Sequence, residues 1–160
     1  MNQRIAKMLT SVCLVLLFGC SNPDPGSEYQ VMLADGSATQ FSHWDGRWIL
    51  VNYWAEWCAP CRKEIPELNR LHAERNATGV VVVGVNYDAL DGERLRTLVE
   101  EMQIRFPVLV ADPRKRWNAE LPSVLPTTFV IGPDGQLKNV LVGPHTYESF
   151  SQALRLTTAT

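Results

Sequence analysis

Cys58 and Cys61 stand two residues apart, and cysteines at that spacing can cycle between a dithiol and a disulfide. They fall where an apolar run, Trp48–Trp54, ends and a helical pattern with Ile65, Leu68 and Leu71 begins. At a helix start two intervening residues bring both sulfurs within bonding distance. The first sulfur then lies beside unpaired backbone N–H groups at the positive end of the helix dipole. Both effects favour thiolate, and cysteines so placed have pKa values of roughly 3.5–7.5. Pro60 limits the loop and costs little there, because early helical N–H groups have no intrahelical partner. The same pair would suit a structural disulfide or half of a zinc site. Zinc normally takes four ligands, and His43, His72 and His145 are scattered, so we read a redox couple with no metal and no organic cofactor.

The elements that must hold this pair are legible around it. Glu28–Leu33 and Thr39–Phe41 flank Asp35-Gly36, a hairpin signal, and Trp48–Trp54 reads as a strand buried on both faces. A helix is predicted from Ala59 to about Ala77, a buried strand over Gly79–Val85, a helix over Glu93–Gln103 and a strand over Phe106–Val110. The Arg114-Lys115-Arg116 triplet reads as a solvated loop or helix face. Thr127–Ile131 and Leu137–Val142 surround the turn Gly132-Pro133-Asp134-Gly135, and Tyr147–Leu156 closes as a helix. This order predicts an α/β fold with helices packed on a central sheet and an added N-terminal hairpin.

The chain has 160 residues, 46% hydrophobic, which suits one domain and excludes wholesale disorder. With 15 basic against 17 acidic side chains, no basic field exists to attract nucleic acid. Residues 1–19 read as a signal peptide: Arg4 and Lys7 precede the uncharged run Met8–Phe18, which as a helix spans only ~16 Å and is too short to anchor. Leu17-Phe18-Gly19-Cys20 resembles the bacterial lipobox, which implies lipid attachment at Cys20 and loss of Cys13 with the signal. Removing Arg4 and Lys7 takes the formal charge from −2 to −4. Residues 20–27 then form a lipidated cysteine and tether, and residues 28–160 the domain. Ser21 after the lipidated position leans, by resemblance to Gram-negative lipoproteins, toward the outer membrane.

Three separated motifs carry a family resemblance. Val51-Asn-Tyr-Trp-Ala-Glu-Trp-Cys-Ala-Pro-Cys-Arg62 resembles a thioredoxin active-site strand and loop, Pro66 matches the proline of its first helix, and Leu125-Pro126-Thr127-Thr128-Phe129 resembles its cis-proline segment. The resemblance implies a thioredoxin-like fold with a central mixed sheet. It also implies a cis Leu125–Pro126 bond facing the cysteines, with the Leu125 backbone pairing to substrate and Trp57 walling the site. Asn52 in place of a buried aspartate, and Glu64 three residues beyond Cys61, are similar to the extracytoplasmic TlpA/ResA-like (DsbE-like) branch. A partly buried carboxylate at Glu64 could take up the Cys61 proton, whereas a solvated glutamate on a helix flank is the ordinary alternative.

That branch implies reduction of disulfides in exported proteins, such as apocytochrome cysteines, with electrons from a membrane thiol donor and the membrane held by the lipid. Oxidation or isomerisation of exported disulfides stays open, as does a thiol-based metal-binding lipoprotein. A peroxidase is disfavoured, because the Pro-x3-Thr-x2-Cys signature is absent around Cys58.

Overall fold

A computed structural model describes residues 30–158. The signal segment 1–19, Cys20 and the tether 20–27 lie outside the described residues. Strands β1 (Gln30–Met32) and β2 (Ala38–Gln40) form an antiparallel hairpin. There follow β3 (Trp48–Trp54), α1 (Ala59–Ala73), α2 (Arg75–Thr78), β4 (Val80–Asn86), α3 (Gly92–Glu101), β5 (Val108–Leu109), β6 (Thr127–Ile131), β7 (Leu137–Val142) and α4 (Tyr147–Thr158). The five-stranded sheet has the order β5-β4-β3-β6-β7. β3 pairs parallel with β4 and antiparallel with β6, and β7 closes the far edge.

Alternation along β3 divides the core. Leu50 and Trp54 face one side with α1, α3 and α4, whereas Ile49, Val51 and Tyr53 face the hairpin side with Phe41, Trp44 and Phe129. The hairpin extends the sheet at its β5 edge, where the Ala34 N–H donates to the Val108 carbonyl and the Val110 N–H to that of Met32. This explains why β5 is shorter than the predicted 106–110. Pro107 has no N–H to offer, and Val110 has already turned to the hairpin.

The first helix also departs from expectation. It runs through Pro66, at whose missing N–H the Arg62 carbonyl loses its helical partner, but it ends at Ala73 rather than near Ala77. Glu74 leaves helical geometry, and its carbonyl accepts the N–H groups of Ala77 and Thr78. The short α2 then stops at Gly79, whose φ of +70° suits a residue without a Cβ. The Arg114-Lys115-Arg116 triplet lies on a 3-10 turn, with Arg114 paired to Asp112 and the Arg116 guanidinium over the Phe41 ring.

Gly84 sits opposite Asn52 in β4 and makes room for the fully buried Trp54. A Cβ there would stand 2.9 Å from Trp54 Nε1, 3.0 Å from Phe106 and 3.2 Å from Val108. Gly84→Ala is therefore expected to lower stability by about 1–3 kcal/mol through overpacking. Gly132→Ala, whose methyl would first meet the Lys138 and Asp134 side chains, which can move aside, should stay within about 0.5 kcal/mol. Urea denaturation of the two oxidised variants against the parent checks this.

Candidate active site

Cys58 caps α1. Its extended backbone (φ −83°, ψ 93°) turns the chain out of β3, and its sulfur accepts the Cys61 N–H at 3.2 Å. Cys58 and Cys61 form a disulfide with a Cα separation of 5.3 Å, in the ordinary range for such a bridge. Pro60 occupies the first turn of α1, where it forfeits no helical hydrogen bond. Both cysteines are almost wholly covered, so partners reach the bridge only at its rim.

Trp57 forms that rim. It is 65% exposed, whereas Trp54 is fully buried in the core. Its indole Nε1–H lies 3.2 Å from each carboxylate oxygen of Asp88, and its ring meets Tyr87 edge-on at 6.2 Å. The turn carrying Asp88 is itself fixed by Asn86, whose Oδ1 accepts the Leu90 N–H. The Leu125–Pro126 peptide bond is cis, and Leu125 packs at the margin of both core layers. Gly143 donates its N–H to the Pro126 carbonyl. No hydrogen bond joins the Leu125 backbone groups to another described residue.

Behind the disulfide lies a polar cluster inside the apolar layer. Glu64 is only 2% exposed, which overturns the solvated-flank alternative. One carboxylate oxygen accepts the Asn52 Nδ2–H at 2.9 Å, the other the His145 backbone N–H at 2.9 Å. Asn52 also donates to the Thr128 hydroxyl at 2.9 Å, while its Oδ1 is buried without a partner among the described residues. Asn52 is thus held by side chains of α1 and β6. Burial pushes the Glu64 carboxyl up to about 7, and the two donated hydrogen bonds offset part of that rise. A carboxyl of that pKa can release or take up a proton near neutral pH, one helical turn from Cys61.

The sequence had not singled out His145, which enters through its main chain, nor Asp88. His72, also unassigned, is structural: its Nδ1 accepts the Val82 N–H at 3.3 Å, and burial with nearby Arg75 lowers its pKa to about 4.

Residues 24–140 match the AhpC/TSA family. The chain is 33% identical over 121 residues to the thiol–disulfide oxidoreductase ResA of Oceanobacillus iheyensis, covering 71% of this chain and 59% of that protein. Against ResA of Geobacillus kaustophilus it is 30% identical over 122 residues, covering 74% and 68%. The chain belongs to the AhpC/TSA family, as a ResA-like thiol–disulfide oxidoreductase. A solved thiol:disulfide interchange protein of the thioredoxin family from Chlorobium tepidum superposes with a TM-score of 0.66 at 26% identity, covering 86% of this chain and 97% of that one. Family membership and geometry therefore agree on a thioredoxin-like fold carrying a Cys58–Cys61 disulfide.

The elevated Glu64 pKa has a thermodynamic consequence of definite sign. The folded carboxyl holds its proton to about pH 7, whereas an ordinary glutamate releases it near 4.5. The stabilisation of the protonated form is complete below pH 4.5 and is lost as pH rises through 7. The oxidised protein should lose about 3 kcal/mol across that window relative to Glu64→Gln, whose side chain cannot titrate. Denaturation at pH 4.5 and 7.5 checks the difference in slope, and parallel curves for the two proteins would refute it.

Proposed function

We propose that the protein reduces disulfides of exported proteins from a membrane-tethered position. The Cys58–Cys61 disulfide capping α1 carries this reading. In the reduced protein, the helix N-terminus and the Cys61 N–H favour a Cys58 thiolate. That thiolate attacks one sulfur of the substrate disulfide, forming a mixed disulfide and releasing the other substrate sulfur as thiolate. Cys61 then gives its proton to ionised Glu64 and attacks the Cys58 sulfur. The mixed bond breaks, the second substrate sulfur leaves reduced, and the Cys58–Cys61 disulfide is restored. Two electrons pass from the cysteine pair to the substrate, and a membrane thiol donor returns them.

Trp57, Pro60, Leu125 and Pro126 would form the docking rim, with the unpaired Leu125 backbone accepting an extended substrate strand. The reductive direction is supported by similarity to the ResA relatives, and apocytochrome c cysteines are a fitting substrate class. Tethering rests on the Leu17–Cys20 lipobox, with residues 1–19 removed, 20–27 as linker and 28–160 as the working domain on the periplasmic side.

Cys61→Ser should accumulate a disulfide-linked partner through Cys58, and Cys58→Ser should abolish insulin reduction. Glu64→Gln should slow resolution of the mixed disulfide about a hundredfold at neutral pH, within the range for general acid–base catalysis. Non-reducing gels and single-turnover release measure these. A wild-type protein without insulin reductase activity, and with no trapped species from Cys61→Ser, would end the proposal. Cys20→Ser should move the protein from the membrane to the soluble fraction.

A further inference from the structure

Outside the polar cluster and the rim, a groove of about 610 Å³ lies between α1 and the segment that follows α3. Its floor begins at Arg62, directly after Cys61, and its far wall is the segment 101–105. Asn69 ties the two walls together: its Nδ2 donates to the Gln103 carbonyl at 2.8 Å, and its Oδ1 accepts the Arg105 N–H at 2.7 Å. The groove is therefore built into the fold by a bridge from side chain to main chain in both directions.

Four arginines line it, Arg62, Arg70, Arg75 and Arg105, against the single carboxylate of Glu101. Arg70 is engaged with Glu74 at 3.4 Å and lies over the Tyr147 ring. Arg62 donates to the Glu56 carbonyl and Arg75 to that of His72, each using part of its five donors on a neutral acceptor. Among the described residues none of Arg62, Arg75 and Arg105 enters a salt bridge. His72 at the same wall is neutral, since its ring accepts a backbone N–H, so the charge comes from guanidinium groups that do not titrate. On a chain of net charge −2 this is a local positive field of concave shape adjoining the redox helix.

We propose that this groove binds an acidic segment of the substrate polypeptide and thereby selects disulfides flanked by Asp or Glu residues. Guanidinium forks match carboxylates in a bidentate fashion, and a concave channel suits a chain better than a flat bilayer surface. This rests on the reading of the protein as a reductase of protein disulfides, so the test measures binding without turnover.

A fluorescein-labelled peptide carrying six glutamates, and its glutamine counterpart, are titrated with the oxidised full chain at low and high salt. The glutamate peptide is expected to bind about tenfold tighter at low salt, with the advantage shrinking as salt screens it. Arg75→Gln/Arg105→Gln should remove that advantage while the variant still unfolds cooperatively in urea. Lys115→Gln/Arg116→Gln, on the opposite face of the sheet, should leave it within about twofold. Equal affinity for the two peptides would overturn the proposal. So would equal weakening by both double variants, or Arg75- and Arg105-dependent capture by phosphatidylglycerol vesicles without peptide binding. Insulin reduction, assayed separately, tells any such failure apart from failure of the reductase reading.

Discussion

A carboxylate buried between a sheet and a helix has to be paired, and at Glu64 that requirement organises more than the site. Its two donors come from distant parts of the chain, the Asn52 amide on β3 and the His145 main chain before α4. Glu67 lies three residues further along α1, and Glu74 is the residue that caps its C-terminal end. Glu67 accepts the Tyr147 N–H at 3.1 Å, and Glu74 the Tyr147 hydroxyl at 2.6 Å. Three glutamates, two on α1 and one at its C-terminal cap, therefore receive hydrogen bonds from a single short segment, 145–147. The docking of α4 and the placement of the site carboxylate are one arrangement, and a change that frees segment 145–147 disturbs both.

Much of this framework is readable in the sequence, for reasons that differ by element. β3 and β4 are dominantly apolar runs, with valines filling most of β4, and Gly132–Gly135 is a turn whose composition permits little else. The redox pair is readable because its chemistry depends on local spacing. What escaped depends on contacts remote in sequence. Helix propensity alone carries α1 past Glu74, but the carbonyl of Glu74 is claimed by the turn that reverses the chain into β4. β5 is clipped because the hairpin competes for its backbone groups.

The polar cluster shows the same limit at atomic scale. Asn52 is conspicuous as the polar residue in an apolar strand, but nothing in its neighbours reveals that its partners are the side chains of Glu64 and Thr128. His145 is less visible still. It contributes a main-chain N–H that any residue other than proline would supply, so its imidazole carries no information about the contact. The burial of Glu64 follows from where α4 lands, a tertiary fact that the spacing from Cys61 does not contain.

The two sulfurs consequently sit in different electrostatic settings. Cys58 faces fixed dipoles, the first N–H groups of α1 and the Cys61 N–H held by capping geometry. Such dipoles do not titrate, so they favour the thiolate at every pH at which the helix stands. Cys61 sits one turn from a group that does titrate, with a pKa near neutrality set by burial against two hydrogen bonds. In the proposed reduction the attacking sulfur needs standing stabilisation of its charge, whereas the resolving sulfur must stay protonated until the mixed disulfide has formed and then release its proton. A permanent dipole at the first position and a proton acceptor at the second meet those separate demands. The division also places the exposed rim beside Cys58, because Trp57 precedes it in the loop, while Cys61 turns inward with the helix toward Glu64.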